Sequence, residues 1–250
     1  MIRWIAVLLL LAAPVRAAER VVSLNLCTDQ MLVLLAPEKI VALSSLARDP
    51  ALSFVAAGAR RFPQIRAAAE AVLALHPDLV LAARYGAQTT VAQLERFGIP
   101  VRRLDLPENF GGIARATREA ADILGVPDRA ERLIAAMEAT LASVGVPGPR
   151  PSAIAWEPRG YTAGPDGPMG AVIQAAGLTN AANGGRMGIE TLLRHPPDLL
   201  ILPDTPTFPS LATEMLRAPV LASIPRRYLP PALTLCAGPW SARAVAMLAR

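Results

Sequence analysis

EAVLALHPDLVLAA (Glu70–Ala83) and ETLLRHPPDLLILP (Glu190–Pro203) are two copies of one pattern: a glutamate, six residues, Pro-Asp, then an apolar run. The six intervening residues have short helical character, and a run apolar on both faces is what a strand covered on both sides requires. Each copy therefore reads as a helix, a sharp stop and a buried parallel strand. Two such units about 120 residues apart imply two similarly built lobes, since a stretch of about 100 residues is already domain-sized.

Outward from these copies the chain alternates. Strands are expected at 20–25, 39–44, 78–83 and 100–105, with helices at 28–35 and 89–97 between them. A helix is expected over 109–124, broken at Gly125-Val126-Pro127-Asp128, where Pro127 and Asp128 are suited to open a second helix running to about Val144. A helix of that length, about 25 Å at 1.5 Å per residue, would act as a strut between lobes. The second half then predicts strands at 152–157, 171–176, 198–203 and 232–235. The fold class is α/β: two parallel-sheet lobes joined by one long backbone helix. The expected units are a signal peptide (1–17), an N-terminal lobe (18–125), the connecting helix (126–146) and a C-terminal lobe (147–250).

The signal peptide is read from Met1-Ile2-Arg3, the apolar stretch Trp4 to Ala13 and small residues up to Ala17. That stretch is shorter than the roughly 18 to 20 residues of a membrane-spanning helix, so the mature protein is expected to be exported and soluble. Neither cysteine lies near the cleavage point to accept a lipid anchor. With 53% hydrophobic and 18% charged residues, the composition fits one compact protein with two modest cores. Loss of Arg3 and Arg16 takes the formal charge of +5 to about +3. Lys39 is the only lysine and the arginines are scattered, so no basic stripe points to nucleic acid.

The signal segment, RVVSLN at the start of the first lobe, the two Glu…Pro-Asp-Leu units, the single connecting helix and GPDGPMGAVIQAAGLTN (Gly164–Asn180) together resemble the helical-backbone (class III) periplasmic binding proteins. The resemblance covers almost the whole mature chain, in the order and spacing of its motifs. It implies a ligand held between lobes, a ferric siderophore, haem or cobalamin, delivered to an inner-membrane ABC permease dimer with its ATPase. It also implies permease docking by one acidic residue per lobe, here Glu70 and Glu190. Geometry gives these two the same place, at helix starts on the cleft-side rim; a helix-dipole role is the alternative for each. The carrier is expected to be a monomer with no cofactor, its cargo a metal chelate of siderophore or corrinoid type, haem being the less favoured.

Ligands of parallel α/β units bind outside the carboxyl ends of the strands. That rule selects Arg84 and Tyr85, Trp156, Arg159 and Tyr161, and Trp240 and Arg243, with Thr28, Asp29 and Gln30 as polar candidates at a helix start. Aromatic faces with a few cations suit a large, partly apolar chelate, although a tryptophan here can instead cap its own lobe's core. His76 and His195 precede the Pro-Asp stops, at the pole away from the cleft, and read as helix C-terminal caps; no direct protein ligand to a metal is assigned, and tyrosine ligation of haem by Tyr85 or Tyr161 stays open.

Cys27 and Cys236 each follow an expected strand, so both are expected at the cleft. An oxidising compartment favours a disulfide between them; a redox-sensitive clamp or two thiols contacting the ligand are the alternatives. No dinucleotide or phosphate-loop motif is present, and Ser44, Ser45 and Ser241 lack a base. A secreted cysteine enzyme using Cys27 is the remaining catalytic alternative.

Overall fold

The computed structural model describes residues 18–145, 148, 150–204 and 211–249. The expected signal peptide, 1–17, lies outside the described residues, as do Val146 and Pro147 at the expected lobe boundary.

In the first lobe, β1 (Val21–Ser23), α1 (Leu26–Leu35), β2 (Ile40–Ser44), α2 (Ala56–Ala59), β3 (Gln64–Ile65), α3 (Ala69–Leu73), β4 (Leu79–Ala83), α4 (Gln88–Arg96) and β5 (Val101–Leu104) build a five-stranded sheet of order β3-β2-β1-β4-β5. All its pairings are parallel. Two helices follow, α5 (Phe110–Leu124) and α6 (Pro127–Ala142). In the second lobe come β6 (Ser152–Ala155), β7 (Tyr161–Thr162), α7 (Pro168–Ala175), β8 (Thr179–Asn180), β9 (Gly185–Arg186), α8 (Ile189–Arg194), β10 (Leu199–Pro203), α9 (Leu211–Glu214), β11 (Arg226–Leu229) and α10 (Ala242–Leu248). They form a parallel sheet of order β11-β10-β6-β8 and a small antiparallel pair, β7-β9.

The repeated motif does the same work in both lobes. Its strand pairs in parallel with the strand that opens the lobe: Val21 sits opposite Leu79 in the first, Ala153 opposite Leu199 in the second. The aspartate after the proline ties the two strand starts together. The Asp78 carboxylate accepts from the backbone N–H of Glu19 and Arg20 at 2.8 and 2.9 Å. Asp198 accepts from the backbone N–H and hydroxyl of Ser152 at 2.8 and 2.7 Å, and these bonds hold its carboxyl below the usual range. Arginine or lysine could not replace either aspartate, because the groups it meets are donors.

α6 is the strut. Pro127 occupies its first turn, where a missing N–H costs nothing, and Asp128 complements the helix dipole. Its 16 residues span about 24 Å, ending slightly before the expected Val144. α5 stops at Gly125, whose φ of 69° suits glycine. The buried ammonium of Lys39 donates to the carbonyl of Leu124 at 2.9 Å, capping that end.

Two expected strands are corrected. Residues 171–176 lie mostly in α7, because a segment this short, apolar except for Gln174, has no period that separates strand from helix; Pro168 starts this helix, and Val172 and Ile173 are buried on it. Residues 232–235 meet a 3-10 turn, Pro231–Leu233, and the last strand is instead β11, RRYL. β11 pairs on one side only, with β10, so as an edge strand it carries charge that hid it from a search for apolar runs.

In place of the two modest cores expected, there is one shared cluster and a satellite in each lobe. Residues alternate along each strand: Val21, Leu79 and Leu81 face a large cluster that continues through α5, α6 and α10 to Ala153, Ala155 and Ile201 of the second lobe. Val22, Val80 and Ala82 face a satellite cluster confined to the first lobe; Ile154, Leu200 and Leu202 face another in the second. The strut and α10 thus carry one continuous core from lobe to lobe.

Candidate functional site

The carboxyl ends of both sheets converge on a seam with three fastenings. Cys27, in the first turn of α1, is disulfide-bonded to Cys236, with Cα atoms 5.2 Å apart and a sequence separation of 209. Phe54, in the loop after β2, stacks on Trp240 with ring centroids 5.8 Å apart. The Arg243 guanidinium lies over the other part of the arrangement, 4.8 Å from the Phe54 centroid. Of the sequence readings of the cysteines, the disulfide is the one found, which leaves Cys27 no thiolate for catalysis. The bond was expected to follow two strands; Cys236 follows the 3-10 turn instead and is buried in the shared core.

Several expected cleft residues are enclosed. Trp156 has 0% of its surface exposed; it belongs to the second lobe's satellite cluster, and its indole N–H donates to the Met187 carbonyl at 3.1 Å. Trp240 is 4% exposed, and its indole N–H donates to the Cys236 carbonyl at 3.1 Å. Both rings are structural in this conformation, because satisfying the N–H and packing the ring leaves no face for a ligand. Thr28, Asp29 and Gln30 are buried too and stitch α1 to its neighbours. The Thr28 hydroxyl is 2.7 Å from that of Ser23, Asp29 accepts from the Ser44 backbone N–H at 3.0 Å, and the Gln30 side-chain oxygen accepts from Phe54 N–H at 2.6 Å.

Burial pushes the Asp29 carboxyl up to about 6, against the opposing pull of its hydrogen bonds with Ser23 and Ser44. The folded state therefore binds this proton more tightly than the unfolded chain, so the contribution to stability is full at acidic pH and is lost as pH rises through about 6. Asp29→Asn is expected to remove about 1 kcal/mol of the stability difference between pH 5 and pH 7, measured by urea unfolding at both values. An identical difference in the variant would contradict this.

The open residues lie on the two carboxyl edges. On the first lobe, Tyr85 is 71% exposed in the loop after β4, beside Arg84, which pairs with Asp105 at 3.0 Å. On the second, Tyr161 is 52% exposed with the Arg186 guanidinium 5.9 Å from its ring centroid, and Arg159 is exposed at a left-handed φ of 61°. Sequence reasoning missed Leu46, Leu106 and Leu235, exposed apolar side chains in segments that follow β2, β5 and β11. It also missed Glu157, which lines a hollow of about 220 Å³ at the carboxyl edge of β6 and β10. The signal was available in its position, two residues after a strand end, but a glutamate does not fit a search for aromatic and cationic groups.

Glu70 and Glu190 are exposed in the first turns of α3 and α8. His76 and His195 are exposed just before β4 and β10, at the opposite ends of the strands. Among the described residues no cluster of three or more His, Cys, Asp or Glu could hold a metal, and no helix is long and apolar enough to cross a membrane.

The sequence matches the family described as "Periplasmic binding protein" over residues 21–225. The chain belongs to that family. The binding protein is similar in structure to the periplasmic heme-binding protein RhuT from Roseiflexus sp. RS-1, with 26% identity and a TM-score of 0.75, over 93% of this chain and 97% of that one. A periplasmic heme-binding protein from Pseudomonas aeruginosa shares the fold at 23% identity and a TM-score of 0.74, over 93% and 91% of the two chains. Among curated proteins, a cobalamin-binding protein of Halobacterium salinarum is 35% identical over 118 residues, which are 45% of this chain and 32% of that one. The match thus spans about a third of that relative's length. Both neighbours are described as binding proteins, and the cysteine-enzyme alternative finds no support among them.

Proposed function

We propose that this protein is a periplasmic carrier that holds a metal chelate between the carboxyl edges of its two lobes and hands it to an inner-membrane ABC permease dimer driven by its ATPase. The observation that carries the reading is the pairing of a solute-binding fold with exposed aromatic and apolar side chains on both carboxyl edges: Tyr85, Leu46 and Leu106 on one, Tyr161 and Leu235 on the other. Apolar groups left in water at a cleft mark a ligand surface. The identity shared with a cobalamin-binding protein favours a corrinoid cargo; a ferric siderophore is the second candidate. The carrier acts as a monomer without a resident cofactor and leaves its ligand unchanged. Its lobes are taken as residues 18–125 and 147–250, with 126–146 connecting them and 1–17 removed on export.

Glu70 and Glu190 are the docking handles. Each opens a short helix in the same motif of its lobe, and neither carboxylate forms an ion pair among the described residues. A free carboxylate on each lobe can meet a cationic cluster on each of two related permease subunits, setting orientation and encounter rate more than raw affinity. Glu70→Arg with Glu190→Arg is expected to abolish ligand-dependent ATPase stimulation and uptake in permease-containing vesicles, with each single change giving a partial loss. Solution affinity for the ligand should stay within about twofold, because the handles lie outside the pocket. Normal transport by the double variant would overturn the docking assignment.

A further inference from the structure

Glu157 is a carboxylate whose side chain has no protein partner among the described residues. Its backbone is tied down: the N–H donates to the Tyr161 carbonyl at 2.7 Å, and its own carbonyl accepts from Gly160 N–H at 3.0 Å. Its side chain lines the hollow of about 220 Å³ together with Thr234 and with apolar walls from Met169, Leu202, Leu229 and Leu235. Among the described residues nothing donates a hydrogen bond to the Glu157 carboxyl, and burial, the sole cause acting on it, pushes its pKa upward. Asp29 in the first lobe and Asp198 in the second show the contrast, since both carboxylates are satisfied by neighbouring donors.

A half-buried acceptor that no protein group reaches is open to a donor brought by a ligand. The hollow opens at the carboxyl edge of β10 and β11, where the proposed cargo sits, so the donor can come from the cargo. We propose that this hollow is a specificity subsite in which Glu157 accepts hydrogen bonds from an uncharged N–H-bearing substituent of the ligand, a primary amide above all, and turns away a carboxylate at the same place. This rests on the chelate-carrier reading and names the chemistry of one end of the cargo. An amide brings donors to a waiting acceptor. A carboxylate brings a like charge into a half-buried, apolar setting, where the repulsion is screened less than in water.

The test compares matched ligands that differ in one acidic group, by calorimetric titration of the full protein and of Glu157→Gln and Glu157→Ala. The pairs are cyanocobalamin against its separated mono-acid derivatives, amide-ended against carboxylate-ended ferrioxamine, and the haemin mono-amide against haemin. For whichever scaffold binds, the wild type is expected to favour the amide-bearing member by about tenfold or more. Glu157→Gln, which keeps an acceptor and loses the charge, should narrow that preference to within about threefold; Glu157→Ala should weaken the favoured member by about tenfold. If a scaffold binds but the preference is the same in wild type and Glu157→Gln, the subsite is wrong while the carrier function stands. If no scaffold binds the wild type, the carrier reading itself fails, and the subsite with it.

Discussion

Replacing both Cys27 and Cys236 with alanine is expected to lower the unfolding free energy by about 4 to 5 kcal/mol, close to the upper end for a single disulfide. The reason is the span of the bond: the partners have a sequence separation of 209, and the chain-entropy account assigns the largest effect to the longest loops. The bond also fastens the first lobe to the second independently of α6, so its loss removes one of the fixtures that set the width of the cleft. Guanidinium unfolding of the double variant, and of the wild type with and without reductant, measures the effect. The native oxidised protein should contain no titratable thiol. Two free thiols, or a double variant with an unchanged midpoint, would show that the seam does not depend on this bond.

Trp156→Ala and Trp240→Ala are each expected to cost about 3 to 5 kcal/mol, the scale for removal of a buried aromatic side chain. Trp156 fills the second lobe's satellite cluster and satisfies the Met187 carbonyl. Its loss leaves both a cavity and an acceptor without its donor. Trp240 joins Phe54 across the seam and donates to the carbonyl of Cys236, so its effect and that of the disulfide should not add, since neighbours sharing a contact are coupled. Thermal and denaturant unfolding of the singles and of the combined variant would read this out. A loss of ligand affinity with stability unchanged would place the rings back in the cleft.

The motif that repeats in the two lobes was legible because a buried parallel strand must be apolar throughout and a helix must stop before it; Glu70, Pro77, Asp78 and their counterparts mark those requirements directly. The role of Asp78 and Asp198 was not legible. Their partners, Arg20 and Ser152, lie 58 and 46 residues away, and local patterning carries no information about which strand will lie alongside. Strand β11 escaped because an edge strand is free to carry arginines, and α7 was misread because a six-residue, mostly apolar stretch fits either period. The tryptophans point to a general difficulty. A strand's carboxyl end places a residue near the ligand edge, yet whether the ring turns outward or into its own lobe depends on packing, and for Trp156 it turned in. The groups left open, Tyr85, Tyr161 and Glu157, whose carboxyl has no donor among the described residues, are recognisable only once the enclosed residues are known.

Calorimetric titration of the purified protein with cyanocobalamin, a ferric hydroxamate siderophore and haemin, followed by recovery of the ligand, tests the central claim most directly. The carrier account predicts saturable binding of at least one chelate near one equivalent, a melting temperature that rises with ligand, by an amount equivalent to about 2.7 kcal/mol at a hundredfold excess over Kd, and a ligand recovered chemically unchanged. Absence of saturable binding to every member, or a ligand returned altered, would contradict it.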